Sequence, residues 1–286
     1  GSAALDAIAA CDLDMAAIER ASETDGLPLP EIVRQLRAGQ PSRVQGAIHT
    51  GATSQDVIDT ATVLTCLDIF AMFKTRLETV LAQLGKLDAS FGARAMMGRT
   101  RMQAALPITV RDRIRIWQEP LGAHLSALET LTKTIAVLQC GGPVGLRDAP
   151  SGQGDAVAAH VAKTLGLTLG PVWHTDRSAM LDMGHWLTKL SGSLGKIGQD
   201  IALMAQQGLD EITLDGVGGS SAMPHKQNPI RAEILVAIAR SVAGQQSILA
   251  QTLIHEQERS GAAWTLEWMT LPSMFEASGA ALNNAE

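Results

Sequence analysis

The chain has 286 residues, 46% of them apolar, which is enough for one large core or two smaller ones. Its formal net charge is −6 and its Lys and Arg residues are scattered singly, so it lacks the basic stripe of a nucleic-acid-binding surface. Three distant cysteines without a CxxC pair argue for a reducing compartment, read as cytoplasmic, and against a zinc site. No apolar run reaches the roughly 18 residues of a membrane span, and the start has no signal-peptide pattern.

Helical periodicity dominates. Aromatic content is 3% with no Tyr, which also leans away from strands. The spacing predicts a helix from about Leu5 to Ala21, a breaker at Gly26–Pro30, a helix to about Ala38 and a loop from Gly39 to Gly51. A helix of over forty residues is expected from Thr53 to about Met97, with Val57, Leu64, Met72, Leu77, Val80 and Leu84 on its apolar stripe. A second long helix is expected from Pro107 to Cys140, with a kink at Pro120. A third is expected from Asp176 to Gln207. In it, Gly192, Gly195 and Gly198 cost helix propensity and are expected to admit a neighbouring backbone. A fourth starts at Asn228–Pro229 and reaches about Gln257, and a fifth begins near Ala262. The expected fold class is all-α, a bundle of about five long helices. Residues 1–52 are expected to be the remnant of a helical N-terminal domain, and 53–286 the bundle domain carrying the chemistry.

The segment Gly216-Val217-Gly218-Gly219-Ser220-Ser221-Ala222-Met223-Pro224-His225-Lys226-Gln227-Asn228-Pro229 is the densest in chemistry. Its glycines allow a mobile backbone, and Lys226 adds a cation. Asn228-Pro229 reads as an N-cap with Pro in the first helical position. A helix N-terminus beside a Lys attracts anions, and a serine there can lose its proton and act as a base. Read without any family, the same string is a flexible connector leading to a capped helix.

That string resembles the signature of the fumarase/aspartase superfamily, which includes adenylosuccinate lyase, argininosuccinate lyase and 3-carboxy-cis,cis-muconate cycloisomerase. The resemblance implies that Ser220 is the catalytic base, that Lys226 and Asn228 bind a substrate carboxylate, and that Ser221 and Met223 line the site. Two other regions resemble the family in the same order. His49-Thr50-Gly51-Ala52-Thr53-Ser54-Gln55-Asp56 matches its HxGxTS pattern, which puts His49, Thr53 and Ser54 on the substrate. Thr53 or Ser54 can also simply cap the helix, with Asp56 supporting its first turn. Gly98-Arg99-Thr100-Arg101-Met102-Gln103, continuing to Thr109, resembles GRTHxQxAxPxT and puts Arg99, Thr100, Arg101 and Gln103 on the substrate.

The departure at Arg101 selects among reactions. Fumarases and adenylosuccinate lyases carry a general-acid His there, and an Arg cannot shuttle protons near neutral pH. Amine or hydroxide leaving groups need that acid, whereas a carboxylate leaves unaided. Val172-Trp173-His174-Thr175-Asp176-Arg177 resembles the WHTxR segment of the carboxymuconate cycloisomerases. His255-Glu256-Gln257-Glu258-Arg259, with Trp264 and Glu267-Trp268 after it, resembles their EHER…W…EW segment, with Gln257 replacing a His. Gly141-Gly142-Pro143-Val144-Gly145 resembles a backbone turn near the substrate. His174, Arg177 and Arg259 are therefore further expected contacts, with Gly145 and Glu233 supporting, the latter by pairing with Arg101.

The implied activity interconverts 3-carboxy-cis,cis-muconate and its lactone through a carbanion, in aromatic (protocatechuate) catabolism. The implied partners are a small polycarboxylate and three further copies, in a homotetramer whose sites are shared between chains. No cofactor or metal is implied, and no nucleic-acid or membrane partner. Family members have additional sequence at both ends, so the chain is expected to be a piece lacking the C-terminal domain. Alternatives are adenylosuccinate lyase or another fumarate-releasing lyase and, in a different class, an inactive structural bundle such as a lens crystallin.

Overall fold

A computed structural model of the chain describes residues 8–147, 152–214, 218–219, 223 and 226–286. In chain order the elements are α1 (Met15–Asp25), α2 (Leu29–Arg37), α3 (Ser42–Gln45), α4 (Ser54–Phe91), β1 (Ala95–Thr100), β2 (Gln103–Thr109), α5 (Val110–Ile135), α6 (Gly154–Leu165), α7 (Ser178–Met204), β3 (Gly218–Gly219), β4 (Gln227–Asn228), α8 (Ile230–Ala250) and α9 (Ala262–Ala285). The expected all-helical class holds, with two short two-stranded sheets among the described residues. The chain divides into two compact units, Gly1–Thr65 with Ala136–His174, and Cys66–Ile135 with Thr175–Glu286.

In the first unit, α1 does not continue the helix expected from Leu5. Residues 11–14 are non-helical, and the Asp14 carboxylate starts the helix by accepting the Ala17 N–H at 3.0 Å. Gly26, at φ 72°, ends it by returning its N–H to the Ser22 carbonyl. The prolines of the breaker then serve α2, whose first turn accepts Pro30 because the missing N–H has no helical partner there. Residues 136–174 supply a parallel bridge between Val137 and Thr168 on either side of α6.

In the second unit, α4 buries Cys66, Phe70, Phe73, Leu77, Val80 and Leu84, whose spacing alternates between four and three. That is the seam of a helix packed lengthwise on others. Met72, expected on the stripe, is 46% exposed, and so, in the first unit, is Val57 at 41%. Phe70 meets Trp186 of α7 edge to face at 5.5 Å and Phe275 of α9 at 5.5 Å, which ties three helices together. Burial of each such side chain is worth about 1.5–3 kcal/mol. Helix α5 runs unbroken through Pro120, and its Trp117 donates its indole N–H to buried Asp200 of α7 at 2.8 Å.

The glycine row of α7 is used unevenly. A β-carbon added at Gly198 would lie 2.5 Å from the Ala232 carbonyl oxygen of α8, and one at Gly195 would lie 2.6 Å from the Ala239 Cβ. Gly192 faces open space instead.

The region expected as the end of one helix and the loop to the next is a β-hairpin. Helix α4 stops at Phe91, and Ala95–Thr100 pairs antiparallel with Gln103–Thr109 through an irregularity between Met97 and Arg99. Most of β2 is exposed on both faces, so no alternation of apolar and polar residues marked it in the sequence.

Candidate active site

In the first unit the residues singled out in the sequence gather around Asp56. Helix α4 begins at Ser54, and Asp56 in its first turn folds its carboxylate back to the Thr53 N–H at 3.0 Å. This is the first-turn support expected of Asp56, but it uses only part of the carboxylate. Oδ2 also accepts the Gly142 N–H at 2.9 Å, while Oδ1 accepts the Gly141 N–H and His174 Nε2, both at 2.8 Å. Burial by itself would raise the Asp56 carboxyl. The hydrogen bonds from His174, Thr53, Gly141 and Gly142 outweigh it and hold the group below the usual carboxylate range.

The turn and the 49–53 segment approach each other backbone to backbone. Gly142 has φ 70°, and a β-carbon there would lie 2.8 Å from the Gly51 carbonyl oxygen. His49 adopts φ 61° and is half-buried. Its imidazole is pushed below the usual His value, by burial first and by the Arg37 charge second, against the opposing pull of Asp56. His174 is 3% exposed, and its carbonyl accepts Gln55 Nε2 at 3.0 Å. Gln55 also reaches Asp59 at 3.1 Å, and Gln139 donates to the same carboxylate at 3.3 Å. His49, Thr53, Gly145 and His174 thus share one neighbourhood, and Ser54 is half-buried at the helix start. The hub itself, Asp56, was read from sequence as a first-turn acid. Its three other partners lie 85 to 118 positions away, which no local pattern announces.

In the second unit, Arg99, Thr100, Arg101 and Gln103 lie on the β1–β2 hairpin. Thr100 pairs with Gln103, leaving Arg101 and Met102 as a two-residue turn with φ 49° and 66°. Positive φ at both positions is what a tight type I′ hairpin turn demands, and it normally selects Asn or Gly. The turn holds Arg101 at the exposed hairpin tip. Arg99 forms an ion pair with Glu211, which follows α7.

Of the Gly-rich segment, Ser220 and Ser221 lie outside the described residues, so their expected roles have no structural description. Met223 and Lys226 are exposed, and Asn228 pairs across a two-stranded sheet with Gly218. The expected Asn228 cap is corrected: Pro229 occupies the cap position of α8, with no side-chain bond to the first turn, because Asn228 is held in the strand pair. Glu233 is exposed in the first turn of α8.

Arg177 and Arg259 also belong to the second unit. Arg259 is exposed, whereas Arg177 is enclosed and bonds Glu267 through Nε at 2.9 Å and through a second, shorter contact. Their side chains are 0% and 3% exposed. This makes Arg177 an internal strut from the start of α7 to α9. Nearby Cys66 is pushed up to about 12, by burial first and by Glu267 second, which leaves it unreactive as a thiolate.

Comparison with known proteins places this arrangement. The profile of a lyase family matches residues 2–244. The chain belongs to the fumarase/aspartase superfamily of lyases. Within that family, the 3-carboxy-cis,cis-muconate cycloisomerase of Acinetobacter baylyi is 35% identical over 281 residues, covering 94% of this chain and 61% of that protein. Trans-aconitate decarboxylase 1 of Mycosarcoma maydis is 32% identical over 279 residues, covering 96% of this chain and 57% of its own length. The crystal structure of 3-carboxy-cis,cis-muconate lactonizing enzyme from Pseudomonas putida matches with a TM-score of 0.92 at 32% identity, covering 100% of this chain and 66% of that one. The chain therefore spans well under two thirds of these two curated family members. No described helix is long and apolar enough to cross a membrane.

Proposed function

We propose that the whole protein is a cycloisomerase acting on 3-carboxy-cis,cis-muconate in aromatic catabolism. The observation that carries this reading is Arg101 at the hairpin tip, in the position where amine-expelling members of the superfamily place a general-acid His. In the lactone-opening direction, Ser220 takes the proton α to a carboxylate. The electron pair left on that carbon forms the new double bond, the C–O bond breaks, and the ring oxygen departs as a carboxylate. In the closing direction a carboxylate oxygen adds to the conjugated double bond, and Ser220 returns the proton to the carbanion. Neither direction requires a second acid, because a carboxylate with an ordinary pKa of roughly 4 leaves as an anion.

The substrate carries three carboxylates, and the chain offers a matching set of groups. Lys226 and Asn228 follow Ser220 in the sequence, Arg99, Arg101, Thr100 and Gln103 share the hairpin, and His49, Thr53, Ser54 and His174 belong to the Asp56 neighbourhood. Arg is suited to the hairpin role because its planar fork binds carboxylates in two-point geometry. The assembly read here is a homotetramer in which each site draws on three chains.

A second reading is decarboxylation of a tricarboxylate, favoured by the 32% identity to trans-aconitate decarboxylase 1. There the C–C bond to a carboxylate breaks, and the resulting carbanion is again protonated. The test is absorbance-monitored turnover of 3-carboxy-cis,cis-muconate, trans-aconitate and adenylosuccinate by the same preparation. Rapid loss of the muconate chromophore alone supports the cycloisomerase. Carbon dioxide release from trans-aconitate alone replaces it with the second reading, and cleavage of adenylosuccinate refutes both.

A further inference from the structure

The Asp56 carboxylate is saturated. Each oxygen accepts two donors, at distances between 2.8 and 3.0 Å. An ionised carboxylate has about four acceptor positions, so no capacity is left for a ligand. What the contact does is fix the His174 ring. With Nε2 held by Asp56, Nδ1 points away from the carboxylate. That nitrogen is enclosed and meets no partner among the described residues. It lies against the 141–145 turn, where a β-carbon added at Gly145 would sit 3.8 Å away. At Gly141 a β-carbon would lie 2.7 Å from the ring's Cε1, so bare backbone is required on that flank.

A buried polar nitrogen without a partner is costly.

We propose that His174 Nδ1 is the ligand-facing atom of the first unit, and that Asp56 is the positioning residue that aims it at one carboxylate of a polycarboxylate. This rests on the polycarboxylate reading above and names the atom that would serve it. When the anion binds, the imidazole bridges two carboxylates, with Nδ1 on the ligand and Nε2 held by Asp56 from the other side. The other ionisable groups around the pair are Asp59, which is bonded to Gln55 and Gln139, and His49 and Cys140, both electrostatically coupled to Asp56, with Arg37 and Arg147 beyond them.

The test combines imidazole ¹⁵N spectra with kinetics on the full chain. Histidine-labelled protein is titrated with the inert tricarboxylate tricarballylate, and His174→Gln identifies the His174 signals. The expected result is a shift of the His174 Nδ1 resonance as tricarballylate saturates. His174→Gln keeps a donor near the Nε2 position but lacks Nδ1. It should retain the wild-type melting temperature while raising KM for 3-carboxy-cis,cis-muconate by about tenfold or more, with a smaller change in kcat. Asp56→Asn, which offers one acceptor oxygen in place of two, should abolish the Nδ1 response. An Nδ1 signal that stays put while tricarballylate binds, a failure of tricarballylate to bind, or an unchanged KM in His174→Gln would each overturn the inference. If Nδ1 responds as expected but carboxymuconate is not turned over, the inference stands and the cycloisomerase reading falls.

Discussion

His174 Nε2 lies 2.8 Å from Asp56 Oδ1, although 118 positions separate the two residues in the sequence. The contact joins the end of the 136–174 segment to the first turn of α4 and makes Asp56 a hub. Replacing Asp56 with Ala would leave four donors facing no acceptor. Loss of a buried charge partner costs about 3–5 kcal/mol, and Asp56→Ala is expected to fall in that range by urea denaturation. A loss below about 1 kcal/mol would mean that water replaces the carboxylate and the hub is dispensable.

The same carboxylate gives a pH dependence of defined sign. Its folded value lies below the ordinary 3.8, so in acid the unfolded chain binds the proton first. The stability it contributes is therefore fully present above about pH 4 and is lost as pH falls through the folded value. The part of the stability difference between wild type and Asp56→Asn that comes from the carboxylate should shrink below about pH 4. Denaturation curves at a series of pH values check this, and a difference that widens in acid would contradict it.

The uneven glycines of α7 make a paired prediction. At Gly198 a methyl group meets the Ala232 carbonyl, so Gly198→Ala should cost about 2 kcal/mol of strain. At Gly192 it meets nothing, so Gly192→Ala should stabilise by up to about 1 kcal/mol through helix propensity. Thermal melts of the two variants should shift in opposite directions. Shifts of the same sign and size would remove the close approach of α7 and α8 as the reason for these glycines.

At the hairpin tip, Arg101 and Met102 both hold a backbone conformation that costs an L-residue about 1–2 kcal/mol. Met102→Gly should recover about 1 kcal/mol in a melt without moving KM. Arg101→Ala should raise KM for the tricarboxylate more than it lowers kcat, because the side chain binds and does not transfer protons. Arg101→His alone should not create adenylosuccinate cleavage. An unchanged KM in Arg101→Ala would end its binding role.

Ser220→Ala should lower kcat by about a hundredfold or more with little change in KM, consistent with loss of a proton-transferring group. If sites are shared between chains, mixing Ser220→Ala with Thr53→Ala subunits should restore part of the activity, because some hybrid sites combine an intact residue from each. Verified hybrids with no recovery would count against shared sites, and near-wild-type turnover by Ser220→Ala would remove it as the base.

The long helices were legible because each buries a stripe with helical spacing. Helix α9 begins at Ala262, where the pattern placed it. Boundaries slipped where a strand interposed: α4 ends at Phe91 rather than near Met97, and α8 starts at Ile230, after the β4 pair. The hairpin was invisible because β2 buries neither face over most of its length, and its turn carries Arg-Met where Asn-Gly would have signalled it. The family strings pointed to His49, Thr53 and His174, which do share a neighbourhood. They said nothing of why, since Asp56 binds its donors across distant segments. Arg177 carries a contact that its family string does not announce, the buried ion pair with Glu267, 90 positions away.

That buried couple also constrains descent. Removing either Arg177 or Glu267 alone breaks a buried ion pair at a cost of about 3–5 kcal/mol, a large share of the roughly 5–15 kcal/mol that keeps a protein folded. Exchanging both for apolar residues of similar volume can be nearly neutral, but a lineage changing one codon at a time has to cross the unstable single variant. Positions 177 and 267 are therefore inherited together or replaced together, and among descendants of this chain Arg at the first should forecast Glu at the second.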